Sequence, residues 1–498
     1  VGSCVAARII VHGHFYQPPR EDPWTGVIEE QPSAAPSHDW NQRVHAESYA
    51  PNACAEIIVD GQEKVVNNFE RISYNVGPTL LKWMEDTDPE TYRLIVGADG
   101  KVRSSTGYGN ALAQAFHHTI LPLSPARDAR TEIRWGKADF RHRFGRDPVG
   151  MWLPETACND TVLGLLIEEG ISFTILAPGQ AGYWRKVGDD HWVDAVEEPI
   201  ETRIPYRYFH PDGSGGSITL FFYDADIARA VAFEQGASSA ENFLDLFVDK
   251  VADAGVVHTA TDGETYGHHH KFSELALAYA LFDDAPARGI ETTSYEGWLA
   301  SSEPSYEIQI APGEGSSWSC AHGVGRWSRD CGCSTGGEPG WNQSWRAPLR
   351  AALEIVKSAA DRTFVSQAHA LLRDPWAARD EYVDVVIGAE DLDSFLGRHL
   401  TTEATDRSRA ALLLELQRNA MAMFTSCAWF FNDVGGIETV QILRYAARVF
   451  DLLDQVDGMQ PLQPFLETLG RAHSNDPDIG TGADVYEKIV ARSPLASS

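Results

Sequence analysis

Residues 255–269 read Gly255-Val256-Val257-His258-Thr259-Ala260-Thr261-Asp262-Gly263-Glu264-Thr265-Tyr266-Gly267-His268-His269. The apolar, β-branched start predicts a strand, Asp262 closes it, and the glycines that follow let backbone approach a ligand. The first 300 residues hold further runs of the same kind: Arg8-Ile9-Ile10-Val11, Leu94-Ile95-Val96, Ser172-Phe173-Thr174-Ile175-Leu176 and Ile218-Thr219-Leu220-Phe221-Phe222. Longer stretches at helical spacing separate them. Strands alternating with crossover helices predict an α/β fold with a parallel sheet. Three of the runs end in His12, Asp224 and Asp262. A parallel α/β barrel carries its active site at the carboxyl ends of its strands, so this placement predicts a barrel enzyme.

A chain of 498 residues exceeds what one hydrophobic core usually serves, which predicts a barrel plus at least one further unit. Between about 301 and 345, Gly313-Glu314-Gly315-Ser316-Ser317 and Gly336-Gly337-Glu338-Pro339-Gly340 read as loop. Beyond it, Leu349 to Val356, Ser408 to Trp429 and Ile437 to Leu453 carry apolar residues at helical spacing. The expected division is a catalytic barrel over 1–300, a loop segment over 301–345 that contributes to the site, and a helical domain over 346–498 that covers the cleft.

With 41 basic against 71 acidic residues, the formal charge of −30 repels nucleic acid and anionic membrane, and a neutral sugar polymer fits better. Seven cysteines, an odd number and dispersed except for Cys320, Cys331 and Cys333, are not the even, dense framework of a small secreted domain, which points to a reducing compartment. The start Val1-Gly2-Ser3-Cys4-Val5-Ala6-Ala7-Arg8 lacks a basic segment followed by an apolar core. A cytoplasmic location is expected, with neither a nucleic-acid nor a membrane partner.

Hydrolysing or transferring a glycosidic bond with retention needs two carboxyl groups, one to attack the anomeric carbon and one to protonate the leaving oxygen. The best pair lies in two unusual segments. In Gly150-Met151-Trp152-Leu153-Pro154-Glu155-Thr156-Ala157-Cys158 a carboxylate follows an aromatic and a stiffening proline, and the second segment is the one around Asp262. An arbitrary Asp or Glu is most often a solvated surface charge, so these two stand out by context alone.

That context resembles glycoside hydrolase family 57, the α-amylase, glucanotransferase and glycogen-branching group. His12-Gly13-His14-Phe15-Tyr16-Gln17-Pro18 is similar to its first region, with two extra residues before the glutamine. Trp152-Leu153-Pro154-Glu155 looks like its nucleophile region, and Asp262-Gly263-Glu264-Thr265-Tyr266-Gly267-His268-His269 like its acid/base region. Gly107-Tyr108-Gly109-Asn110 before His118-Thr119-Ile120-Leu121-Pro122-Leu123 corresponds to the second region, with Asn110 where the family carries a carboxylate. Trp318-Ser319-Cys320-Ala321-His322-Gly323 resembles its aromatic-His-Gly element, and Thr425-Ser426-Cys427-Ala428-Trp429-Phe430-Phe431-Asn432-Asp433 an element of its helical domain. The later half looks like the uncharacterised domain appended to one bacterial branch. The resemblance implies a seven-stranded (β/α) barrel followed by a helical bundle, acting on α-linked glucan through a covalent glycosyl-enzyme and needing no cofactor. It makes Glu155 the nucleophile and Asp262 the acid/base. It also puts His12, His14, Gln17, Asn110, His118, Trp152, His269, His322, Trp429 and Asp433 in contact with sugar.

Several of these residues have competing readings. His12 and His14, two apart at a strand end, point to the same side and are also how a metal-binding pair would look. With Asp224 or Asp262 they would make a metal-dependent carbohydrate-active enzyme of deacetylase or α-mannosidase type, and a non-catalytic glucan-binding protein is the remaining alternative. Of His268, His269 and His270, only His269 matches the motif. Cys320, His322, Cys331 and Cys333 supply enough ligands for tetrahedral zinc at spacings tighter than usual, against which stand free thiols and a sugar-contacting His322. No metal is expected in the catalytic site. Three adjacent aromatics, Trp429, Phe430 and Phe431, cannot all be buried on one helix face, so one is expected as a sugar-stacking platform, with Trp429 the choice.

Overall fold

The computed structural model describes residues 7–251, 255–404 and 406–492. Seven parallel strands form a closed ring. β1 (Ala7–Phe15) is followed by β2 (Ser73–Val76), β3 (Ala113–Gln114), β4 (Met151–Trp152), β5 (Phe173–Leu176), β6 (Ser217–Phe222) and β7 (Val256–Asp262). β1 pairs with β7 on one side and β2 on the other, placing His14 opposite both Asp262 and Asn75. β2 meets the start of β3 through the Tyr74–Ala111 bridge, β3 pairs with β4, and the Gly150–Phe173 bridge leads to β5. β5 pairs with β6, and the Asp224 amide donates to the His258 carbonyl at 2.8 Å, closing the ring against β7. The expected seven-stranded barrel is the observed one.

The ring explains the sequence pattern. Ile9, Ile10 and Val11 are all buried, because a strand with a packed lumen on one face and helices on the other reads as a continuous apolar run. Leu94-Ile95-Val96, expected as a strand, is helical instead. It lies within helix Pro89–Thr106, whose N-cap Asp88 accepts from the Glu90 and Thr91 amides and whose end is turned by Gly107 at φ 87°. Thr91, Ile95 and Ala98 are among its buried residues, at helical rather than alternating spacing. The strands the sequence concealed are β2 and β3. They are four and two residues long, and they put Ser73, Asn75 and Gln114 into the interior.

The chain divides into two compact units. The first comprises residues 1–17, 30–114 and 140–313, and the second comprises 18–29, 115–139 and 314–498. The first unit therefore runs past the expected end of the barrel at 300, and the second takes in most of the 301–345 segment together with two earlier excursions of the chain. The excursion 115–139 is held by buried charge: Asp128 accepts from Arg379 at 2.6 Å and pairs with Lys357 at 2.9 Å. Within this unit helices Arg346–Ala368, Arg407–Ala422 and Ile437–Gln455 pack on one another. The run expected to continue to Trp429 breaks after Ala422 and resumes as the short helix Cys427–Phe430. Among the described residues no helix is long and apolar enough to cross a membrane.

Candidate active site

The carboxyl end of β1 carries His12 and His14, and both rings stack on the indole of Trp152 from β4, at centroid distances of 4.8 and 5.1 Å. Asn75 of β2 bridges the pair: its Oδ1 faces His12 Nε2 at 3.0 Å and its amide nitrogen faces His14 Nδ1 at 2.8 Å. The same amide donates to Gln114 Oε1 at 2.7 Å. Burial is the main reason both imidazoles fall to about 3, so they stay neutral. The network then assigns the tautomers: His12 donates from Nε2, and His14 accepts at Nδ1 and carries its proton on Nε2. His12 Nδ1 also meets Ser73 Oγ at 3.2 Å, so both nitrogens of that ring are engaged.

Glu155 follows β4 in a one-turn 3₁₀ segment, Pro154–Thr156, and is half-buried. Its φ of 58° and the 50° of Thr156 put two consecutive non-glycine residues in the left-handed region. Such backbone costs about 1–3 kcal/mol per residue and persists only where the surroundings hold it. Gln180, 1% exposed, supplies the hold. Its Nε2 donates to the Thr156 carbonyl at 2.9 Å, while its Oε1 accepts from Thr156 Oγ1 at 2.8 Å and from the Ala177 amide at 2.9 Å. Gln180 is a positioning residue that sequence reading missed, because its role arises from a turn 24 residues away. Gln180→Ala should lower kcat by about 10- to 100-fold with a smaller change in KM, the pattern of a displaced reacting group rather than of weakened substrate binding. Steady-state kinetics check this, and an unchanged kcat would show that the turn holds itself.

Asp262 ends β7. Its side chain reaches solvent, yet protein atoms crowd around its carboxyl. This burial, then the negative charge of Glu264, then that of Glu155, raise its carboxyl well above the ordinary range. Tyr223 lies within electrostatic reach of it. Glu264 sits behind Asp262, 6% exposed, and its Oε1 accepts from the Tyr49 hydroxyl at 2.5 Å and the Tyr16 amide at 2.9 Å. Burial pushes Glu264 up to about 7. Glu264→Gln keeps an acceptor for both donors but removes a charge that opposes ionisation of Asp262. Asp262 then ionises more readily, and the alkaline limb of the kcat/KM profile should move to lower pH. A limb that stayed in place would remove Glu264 from the electrostatics of the site.

Two family models match. One, described as glycosyl hydrolase family 57, spans residues 20–310, and the other, a domain of unknown function (DUF3536), spans 341–497. The chain belongs to glycosyl hydrolase family 57. Its relatives include a 4-alpha-glucanotransferase of Thermococcus litoralis, 25% identical over 207 residues, and alpha-amylase 1 of Dictyoglomus thermophilum, 27% identical over 227 residues. These matches cover 41% and 44% of this chain but only 28% and 26% of the relatives, so about a quarter of each relative is represented. Among solved structures, an exo-type maltose-forming amylase from Pyrococcus sp. ST04 superposes with TM-score 0.69 at 14% identity, covering 99% of this chain and 93% of that one. A GH57-type branching enzyme from Pyrococcus horikoshii gives TM-score 0.58 at 15% identity, with 96% of both chains covered. At such identities the structures speak for the fold alone.

Within the family-57 barrel, the remaining residues expected at the sugar fare differently. His268 bonds Glu47 Oε2 at 2.5 Å and His270 bonds the Ala232 carbonyl at 2.9 Å, whereas His269 keeps an exposed side chain. Gln17 is half-buried, and its carbonyl accepts from Thr79 Oγ1 at 3.3 Å. Asn110, expected to touch sugar, is 3% exposed and donates its amide to the Phe69 and Ile72 carbonyls at 2.7 Å each, while its Oδ1 has no partner among the described residues. Asp224 caps helix Ala225–Phe233 and pairs with Lys250 at 2.6 Å, which takes it out of a metal set. Gln114, absent from the expected residues, lies 2% exposed, and its Nε2 has no partner among the described residues, a buried donor available to a ligand.

Four of the expected sugar-binding residues fall in the second unit. His118 is buried, with Nδ1 on Ser426 Oγ at 2.6 Å. Asp433 accepts from Ser474 Oγ at 2.9 Å and from the Asn475 amide at 2.6 Å, tying one loop to another. Trp429 is not a stacking platform: it is 0% exposed, its indole N–H donates to the Arg346 carbonyl at 3.2 Å, and Phe424 stacks on it. The aromatic left exposed by the helix geometry is Phe431, at 42%. His322 stands among three cysteines.

Proposed function

We propose that this chain is a retaining glycosidase or transglycosidase acting on α-linked glucan, with Glu155 as nucleophile and Asp262 as acid/base. One observation carries the reading. Glu155 and Asp262 stand at the carboxyl ends of two barrel strands, within each other's electrostatic field, and Asp262 is driven toward its protonated form. A protonated acid beside a carboxylate is what the first step requires. Glu155 attacks the anomeric carbon as Asp262 gives its proton to the leaving oxygen, and Asp262 then takes a proton from the water or sugar hydroxyl that resolves the covalent intermediate. The neutral imidazoles of His12 and His14, fixed by Trp152 and Asn75, suit hydroxyl recognition, because they present defined donors without charge. A catalytic metal held by His12 and His14 is disfavoured, since Ser73 and Asn75 already occupy both nitrogens of His12. The names of the relatives, an amylase and a 4-alpha-glucanotransferase, direct the choice of substrate to α-1,4-glucans.

The test is to incubate the protein with maltooligosaccharides and with glycogen and follow chain length, branch content and reducing ends. Released reducing ends would assign hydrolysis, and redistribution of chain lengths without them would assign transfer. Unchanged substrates in both cases would overturn the reading.

A further inference from the structure

Cys320, His322, Cys331 and Cys333 lie in a part of the second unit with almost no regular structure, a single turn at Gly325–Trp327 being its one helix among the described residues. One ligand atom from each falls within 4.8 Å of all the others. We propose that these four side chains form a structural zinc site that holds the 314–340 segment in place.

The separations fit that ion. Thiolates at about 2.3 Å from tetrahedral zinc lie about 3.8 Å apart, and a thiolate and an imidazole nitrogen about 3.6 Å apart. Here Cys320 Sγ stands 3.8 Å from both Cys331 Sγ and Cys333 Sγ, and Cys333 Sγ stands 3.5 Å from His322 Nδ1. These sulfur distances are nearly twice a disulfide bond of about 2.05 Å, and pairing any two cysteines would leave the third without a role. The tight Cys-x-Cys spacing is made workable by Gly332, at φ 80°, which turns the chain between Cys331 and Cys333.

The surroundings supply what such an ion needs. Backbone amides of His322 and Arg326 are directed at Cys320 Sγ, and that of Ala321 at Cys333 Sγ. Arg346, 0% exposed, donates to the Cys333 carbonyl at 2.8 Å and lies in the field of Arg326, itself 6% exposed. Asp330 acts on Arg346 electrostatically and the Phe430 ring lies 4.3 Å from Arg326, yet Arg326 Nε, Arg326 Nη1 and Arg346 Nε have no hydrogen-bond acceptor among the described residues. Two buried cations side by side favour negative charge beyond the single carboxylate of Asp330. Zinc with three thiolates and one neutral imidazole carries a net charge of −1, the sign that offsets them. Binding replaces three thiol protons, which pass to solvent, and fills all four positions with protein ligands. A closed site of this kind is structural and leaves no open position for catalysis. His322 thereby becomes a zinc ligand rather than a sugar-binding residue.

The full-length protein, purified under reducing conditions without chelator, should contain about one zinc per chain by plasma mass spectrometry. Cobalt-substituted protein should show the thiolate charge-transfer and intense visible bands of a tetrahedral site. Cys333→Ser should lose the metal and melt at lower temperature. Should that variant not fold, mercurial titration of a Cys54→Ser, Cys427→Ser protein with the four site residues intact replaces it, with zinc release tracking consumption of the site thiols; release that did not follow thiol loss would overturn the proposal. Wild-type protein that is isolated without zinc and retains none after incubation with equimolar zinc and desalting would overturn the proposal. So would a Cys333→Ser variant that binds zinc as the wild type does.

Discussion

Glu155→Gln loses glucan turnover by about 10⁴-fold or more and accumulates no covalent intermediate, because the group placed to attack the anomeric carbon has become an amide. The substitution preserves size and hydrogen-bonding capacity, so the left-handed turn at 155–156 and its clasp by Gln180 remain intact. The loss therefore reads chemistry rather than misfolding, which an unchanged melting temperature verifies. Glu155→Ala with added azide extends the test: azide enters from the vacated side and releases a β-glucosyl azide from an α-glucoside. Mass spectrometry of protein trapped with a 5-fluoro glucosyl fluoride gives the complementary result, a labelled peptide containing residue 155 in the wild type alone. Wild-type rates in Glu155→Gln, or a label on another residue, would sink the assignment.

The second large effect belongs to Asp262→Asn. Loss of a general acid costs about 10²–10⁴-fold on natural glucans, whose leaving sugar must be protonated. An α-glucosyl fluoride, or an aryl glucoside with an acidic phenol, leaves without protonation, so the first step on these substrates should be nearly spared and a burst of product should precede slow turnover. Here azide should give the α-glucosyl azide, opposite in configuration to the product of Glu155→Ala. Both outcomes need the carboxyl groups to face each other at about 5–5.5 Å, whereas inversion would need about 6.5–9.5 Å and a water between them. Equal losses on glucan and fluoride, or inverted products from the wild type, would remove Asp262 from the acid/base role.

The class of fold was legible in the sequence, and the proposed acid pair stands out there by its motifs. Parallel strands buried on both faces must be apolar throughout, so β1, β5, β6 and the start of β7 are legible as runs, and catalytic carboxylates stand where such runs end. Asp262, the proposed acid/base, is readable as the end of such a run, Glu155 by its Trp-Leu-Pro-Glu motif, and His12 and His14 by their spacing of two. Two further things were decided by tertiary structure. The ring closes through β2 and β3, which are too short and too polar to show any period and exist as strands because neighbouring backbone accepts their hydrogen bonds. Side-chain roles were decided the same way. Asn110 and Trp429 lie in family-like motifs yet are buried, their side-chain N–H groups donating to backbone carbonyls far away in sequence, while Asn75, Gln180 and Glu264 hold the site through partners that no motif discloses. A hydrogen bond depends on where two groups arrive in space, and for Asn75 and His14, 61 residues apart, only the folded barrel settles that. The same holds for Cys320 and Cys331, eleven positions apart across an irregular loop, whose 3.8 Å separation follows from the turns between them rather than from their spacing in the chain.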